Sequence, residues 1–176
     1  MRTLVVYESM YGNTHQIAEG IAVGLRPHGE VRVVPVRQAS GDMVSWAELL
    51  IVGGPTHIHG MSRPSSRNGA SDAATKPDSG LTLDPDAEGD GIREWLASLG
   101  KATDTRAAAF DTRTDGPALF TGRASGRIAK ELRRHGYSLV AKPESFLVKD
   151  NRLVSGEVER ASGWGASLVG DLVAVS

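Results

Sequence analysis

Ser9-Met10-Tyr11-Gly12-Asn13-Thr14 gathers two aliphatic hydroxyls, a side-chain amide and a glycine into six residues, immediately ahead of a segment with helical periodicity. The start of a helix carries unpaired N–H groups and the positive end of the helix dipole, so this loop suits an anion, and Gly12 lets the backbone approach it closely. That is chemistry for a phosphate monoester. The loop has no Lys or Arg, so it is not a Walker A site for a triphosphate with magnesium, and the missing GxGxxG pattern disfavours a dinucleotide. The same residues also fit a polar turn that merely caps the helix, with Asn13 and Gln16 as a capping-box variant. Spacing alone leaves both readings open.

Short apolar or β-branched runs alternate with segments of helical period from the start of the chain, which predicts βαβ units around a parallel sheet. Five strands are expected, at 3–7, 31–36, 49–52, 106–110 and 138–141, the last continuing irregularly through Phe146-Leu147-Val148 after Pro143. A first helix begins near Asn13 or Thr14 and turns Ile17, Ala18, Ile21, Ala22 and Leu25 to one side. A short helical piece is expected over 42–47, and Ile92, Trp95, Leu96 and Leu99 mark a helix opened by Asp90 and closed by Gly100. Ser125 is the expected cap of the next helix, and the last one carries Trp164 inward with Val158, Ala161, Leu168 and Leu172, though Gly163, Gly165 and Gly170 weaken it. Trp95 and Trp164 both read as core residues.

The chain thus reads as one domain over 1–176. Residues 62–90 break its rhythm: they are mostly Pro, Gly, Ser and Asp, and their large apolar residues are Leu81 and Leu83. So little apolar surface cannot offset the cost of ordering the segment, and a flexible insertion is expected there.

In an open parallel sheet, ligands bind beyond the carboxyl ends of the strands, where the strand order reverses. The loops at 9–14, 55–60 and 111–115 have that address. Three competing patterns are weaker. His57-x-His59 offers two imidazoles but no recognisable third metal ligand. Asp84-x-Asp86-x-Glu88-Gly89 imitates the start of an EF-hand loop but has Trp95 where the bidentate Glu belongs, so a solvated acidic loop is expected. Gly122-Arg123-Ala124-Ser125-Gly126 is out of register with a hydrolase nucleophile elbow.

Composition narrows the function. With 20 Lys+Arg against 21 Asp+Glu the net charge is −1, which provides no overall attraction to nucleic acid. The absence of cysteine removes disulfides, thiolate-bound zinc, iron–sulfur clusters and cysteine nucleophiles, so any redox chemistry has to come from a bound cofactor. No apolar run is long enough for a membrane span or a signal segment, and a soluble, cytoplasmic protein is expected.

Strand one with Glu8-Ser9-Met10-Tyr11-Gly12-Asn13-Thr14, strand three ending in Gly53-Gly54-Pro55-Thr56, and strand four ending in Phe110-Asp111-Thr112-Arg113 together resemble the flavodoxin family, and the order of elements resembles it over nearly the whole chain. The resemblance implies a three-layer α/β/α sandwich with a five-stranded parallel sheet in the order 2-1-3-4-5, binding one FMN non-covalently. It implies that Ser9, Tyr11, Gly12, Asn13 and Thr14 hold the FMN phosphate. Pro55, Thr56, His57, Ile58, His59 and Gly60 would then line one side of the isoalloxazine, and Asp111, Thr112 and Arg113 the other side and the pyrimidine edge. The chain departs from the family in two ways: the second and third loops lack the usual flanking Trp or Tyr, and the near-neutral charge differs from the strongly acidic surface of typical members. Arg113 near the pyrimidine edge would favour an anionic reduced flavin, unless it pairs with Asp111 or Asp115.

The expected function is electron transfer between a reductase and an acceptor protein. The alternatives are a flavodoxin-fold oxidoreductase of the quinone reductase or protoporphyrinogen oxidase type, acting on a quinone-like small molecule with 62–90 as a lid, and a flavin-free interaction module that keeps the fold.

Overall fold

The computed structural model describes residues 1–57, 60–103 and 105–173. Its elements run β1 (Arg2–Tyr7), α1 (Asn13–Leu25), β2 (Glu30–Pro35), α2 (Gly41–Trp46), β3 (Leu49–His57), β4 (Gly60–Met61), α3 (Pro64–Thr75), α4 (Ile92–Ser98), β5 (Arg106–Thr114), α5 (Ala118–Thr121), α6 (Ala124–Arg134), β6 (Ser138–Leu139), β7 (Glu144–Lys149), β8 (Arg152–Leu153) and α7 (Glu157–Val173).

The strands form one sheet in the order β2-β1-β3-β5-β7-β8, with β4 paired to β3 and β6 to β5. All pairings along the main path are parallel as far as β7, so the expected 2-1-3-4-5 order is present. Two short antiparallel additions, β4 on β3 and β8 on β7, raise the strand count above the expected five. The fifth strand is split: β6 pairs with Arg106 and Ala107 at the base of β5, and β7 with Phe110 to Thr114 at its top. Pro143 falls between the two pieces, where its missing N–H could not join the ladder.

Side chains alternate across the strands and bury both faces of the sheet. Leu4, Val6, Leu50, Val52, Ala107 and Ala109 pack with Ile92, Leu96, Ile128 and Leu132 of α4 and α6. Val5, Tyr7, Leu49, Ile51, Ala108 and Phe110 pack with α1 and α7 on the other side. Trp95 packs against the first cluster and Trp164 against the second, where it meets Phe110 and Phe146 edge to face. Leu172 lies where side chains are outside the description.

Of the glycines that lower helix propensity, Gly24 and Gly165 have a packing role where α1 crosses α7, whereas Gly163 and Gly170 have open space around them. A Cβ on Gly24 would lie 2.0 Å from the Ser162 carbonyl oxygen, and one on Gly165 would lie 2.4 Å from that of Ile21. The two helix backbones touch there, and any larger residue would push them apart.

Residues 62–90 differ from the sequence expectation, since they contain the twelve-residue helix α3. Composition reports only apolar burial, and this segment is held by polar contacts. Pro64 fits the first helical position, and Arg63 N–H donates to Ser66 Oγ, which in turn donates to the Arg63 carbonyl. Arg67 is 7% exposed, with Nη1 3.0 Å from Ser62 Oγ and 3.1 Å from Glu94 Oε2 of α4. The Asp84 stretch, expected to be solvated, is also packed down. Asp84 is 6% exposed, its N–H donates to the Met10 carbonyl at 2.8 Å, and its Oδ2 lies 3.3 Å from His15 Nδ1. Among the described residues, no helix is long and apolar enough to cross a membrane.

Candidate functional site

The turn from β1 into α1 is set by Gly12, whose φ of 86° is left-handed and disfavours any residue with a Cβ. The Gly12 N–H donates to Ser9 Oγ at 3.0 Å, so the Ser9 hydroxyl shapes the turn. The expected Asn13–Gln16 capping box is absent: Gly12 occupies the cap position without a side-chain bond, and the Gln16 amide donates to the Gly12 carbonyl at 3.3 Å. Asn13 Nδ2 donates to the Asn151 carbonyl at 3.1 Å. Among the described residues, the N–H groups of Asn13, Thr14 and His15 therefore have no acceptor, and the first turn of α1 presents its donors outward.

The first turn of α1 borders a groove of about 190 Å³ at the carboxyl ends of the strands, lined by Ser9, Tyr11, Asn13 and Thr14 from the first loop, Pro55, Thr56 and His57 from the second, and Thr112 and Arg113 from the third. The three loops singled out in the sequence thus meet at one place. Met10, Thr114, Val148 and Asn151 also line the groove. The last two had a legible signal, because Asp150 and Asn151 both take left-handed conformations, with φ of 50° and 57°. Asp and Asn tolerate that geometry, and an Asp-Asn pair between apolar runs marks a two-residue hairpin.

Among the described residues, the expected site residues Gly12, Gly60 and Asp111 do not line this groove. Gly60 faces a neighbouring pocket instead. Ile58 and His59 lie outside the described residues. Asp111 is fully buried, and its Oδ2 accepts the N–H of Ser125 at 2.7 Å. Thr56 Oγ1 likewise accepts the N–H of Ala124 at 2.9 Å. Thr56 and Asp111 therefore cap α6 from the ends of β3 and β5, and Ser125, the expected cap, lies inside the first turn and is capped itself.

Strand alternation explains the division of labour. Ala109 and Asp111 point to the α6 side of β5, whereas Phe110 and Thr112 point to the α1 side. Burial pushes the Asp111 carboxyl above the ordinary carboxylate range, with the Ser125 N–H pulling the other way. Burial also holds the His57 imidazole below its usual value, with Glu8 opposing and Arg67 reinforcing that shift.

Arg113 pairs with neither Asp111 nor Asp115. Its Nη1 donates to the Gly116 carbonyl at 2.6 Å and to Thr121 Oγ1 at 3.1 Å, leaving the guanidinium at the wall of the groove with no carboxylate partner among the described residues. Tyr11 stands at the opposite loop, with its hydroxyl donating to the Ala70 carbonyl of α3 at 2.8 Å. Among the described residues, the aromatic rings that line the groove are those of Tyr11 and His57. Chemically, the site combines neutral donors at a helix start, a slot between two loops, and one cation on the third.

Comparison with known proteins gives a consistent picture. A family model described as Flavodoxin domain matches residues 4–66. A curated flavodoxin of Aquifex aeolicus (strain VF5) is 41% identical over 59 residues, a stretch that spans 32% of this chain and 32% of that relative. Among solved structures, a flavodoxin from the domain Archaea matches with a TM-score of 0.65 and 20% identity over 98% of this chain and 99% of its own. Oxidised Flavodoxin 1 from Bacillus cereus matches at 0.67 and 18%, over 97% of this chain and 98% of its own. Rubredoxin oxygen:oxidoreductase from Desulfovibrio gigas matches at 0.63 and 18%, over 97% of this chain but only 37% of its own. The chain thus has the fold of the flavodoxins over nearly its full length, and its first third, from β1 through the 9–14 loop to the start of α3, is similar in sequence to the Flavodoxin domain.

Proposed function

We propose that this protein binds FMN non-covalently in the groove above the sheet and transfers electrons through it. The observation that carries the reading is the set of unsatisfied N–H groups of Asn13, Thr14 and His15 at the start of α1. They provide an anion cradle at one end of a groove that continues between the 55–57 and 112–113 loops. When bound, FMN supplies the redox chemistry. The chain's own part is to seat the phosphate on neutral donors, to hold the ring between the second and third loops, and to set a cation, Arg113, at the ring's edge. Tyr11 and His57 offer less stacking surface than paired Trp or Tyr, so the ring would be held less tightly than the phosphate.

Visible absorption spectra of the purified protein before and after addition of FMN test this, together with Asn13→Ala and Thr14→Ala variants. We expect flavin uptake by the parent and weaker uptake by both variants, whose first turn of α1 loses its side-chain contact to Asn151 or Thr112; uptake of FMN no tighter than that of riboflavin would show the phosphate anchor to be elsewhere. A protein that stays colourless after FMN addition would be an interaction module on a flavodoxin fold. In the same preparation, lack of NAD(P)H turnover with a quinone until a reductase is added marks an electron carrier. Sustained turnover without a reductase marks an oxidoreductase.

A further inference from the structure

Beside the groove lies a second pocket of about 200 Å³, which shares His57 with it. Three arginines from three parts of the chain line this pocket: Arg63 just ahead of α3, Arg93 of α4 and Arg127 of α6, with Ser65 and Ser66 from the first turn of α3. Among the described residues, none of the three pairs with a carboxylate. The nearby acids are turned to other tasks: Glu94 serves Arg67 and the Gly91 N–H, and Glu8 accepts the Ile92 N–H.

Arg93 is held in place, and Arg127 lies close to backbone. Arg93 Nε donates to the Ser62 carbonyl at 2.9 Å and Nη2 to that of Met61 at 2.8 Å, so its fork is fixed by backbone. Arg127 lies against Gly60, where a Cβ would come within 2.9 Å of its Nε. The guanidinium therefore approaches the backbone at Gly60 closely because that position has no side chain.

Arg63 and Arg127 are exposed and Arg93 is half-buried, so water screens their mutual repulsion, and an anion entering the pocket meets three cations that no carboxylate among the described residues neutralises. Planar guanidinium forks match the oxygens of phosphates and carboxylates, and the Ser65 hydroxyl and the start of α3 add neutral donors.

We propose that this pocket binds the anionic end of a small redox substrate, a phosphate or a cluster of carboxylates, whose other end reaches the groove past His57. The word redox rests on the FMN reading; the anion site itself does not. It differs from the cradle at α1 in relying on cations.

Calorimetric titration of protein saturated with FMN, so that the α1 cradle is filled, tests the pocket with inorganic pyrophosphate and, separately, with succinate. We expect saturable binding of at least one probe, weakened tenfold or more by Arg127→Gln and largely restored by Arg127→Lys. Flavin uptake should be unchanged in both variants, because Arg127 does not touch the 9–14 loop. Preference for pyrophosphate assigns a phosphate-bearing substrate, and preference for succinate a carboxylate-bearing one. Binding of neither probe, or equal binding by the parent and Arg127→Gln, overturns the proposal and leaves the FMN reading intact. Arginine-dependent binding by a protein that takes up no FMN would keep the anion site and overturn the FMN reading.

Discussion

The hydroxyl oxygens of Thr14 and Thr112 lie 2.7 Å apart and are buried, joining the first turn of α1 to the top of β5. This contact fixes the helix start against the third loop, so the outward N–H groups and the slot for a ring keep their relative positions. A buried hydroxyl pair contributes about 1 kcal/mol, and removing one member leaves the other unsatisfied. We expect Thr14→Val and Thr112→Val each to cost about 1–2 kcal/mol and the double variant to cost less than their sum. Urea unfolding of the four proteins measures the coupling.

Gly12 and Gly24 should respond to alanine for different reasons. At Gly12 the nearest atoms to an added Cβ are 3.9 Å away, so the penalty is conformational, about 1–2 kcal/mol for a left-handed residue. At Gly24 the backbone is ordinary helix, which alanine favours by about 1 kcal/mol, yet the Cβ would strike the Ser162 carbonyl. We expect a net loss of about 2 kcal/mol or more at Gly24, because overpacking outweighs propensity. Shifts of the urea midpoints at unchanged slope report both.

Asp111 gives a pH signature. Its folded-state pKa is raised by burial, so its contribution to stability is fully present below the ordinary carboxyl range and is lost as pH rises through the folded value. Asp111→Asn keeps an oxygen for the Ser125 N–H and removes the buried charge. It should unfold at a higher urea concentration than the parent at pH 7, with the gap closing on acidification. Asp111→Ala loses the cap on α6 and should cost about 1 kcal/mol. A parent as stable as Asp111→Asn across the whole pH range would contradict the burial argument.

Arg67 ties α3 to α4 from a buried position beside Glu94 and Ser62. Arg67→Met leaves the Glu94 carboxylate without its cation and should cost about 3 kcal/mol. Since α3 also receives the Tyr11 hydroxyl at the Ala70 carbonyl, loosening it should speed flavin release as well. Limited proteolysis within 62–90 and stopped-flow flavin dissociation measure the two effects.

The strands and the location of the site could be read from sequence because their physics is local. Runs such as Leu49-Leu50-Ile51-Val52 are apolar throughout since both faces of the sheet are covered, and loops beyond strand ends follow from topology. Asp111 faces α6 rather than the groove, and strand alternation carries that answer: next to Thr112, it has to face the opposite layer. Helix α3 was not legible, because Arg67, Tyr11 and Asp84 anchor it and the chain that follows through partners distant in sequence. The arginine pocket was equally hidden, its three cations coming from positions 63, 93 and 127.

The most direct measurement compares the dissociation constants of FMN and riboflavin at low and high salt. Two charge-assisted hydrogen bonds from the α1 donors correspond to about 100-fold or more in favour of FMN. A site built on neutral donors should keep most of that preference when salt is raised, since no exposed cation of the 9–14 loop takes part. Equal affinity for the two flavins, or a preference for FMN that collapses in salt, would contradict the seating of the phosphate at the start of α1.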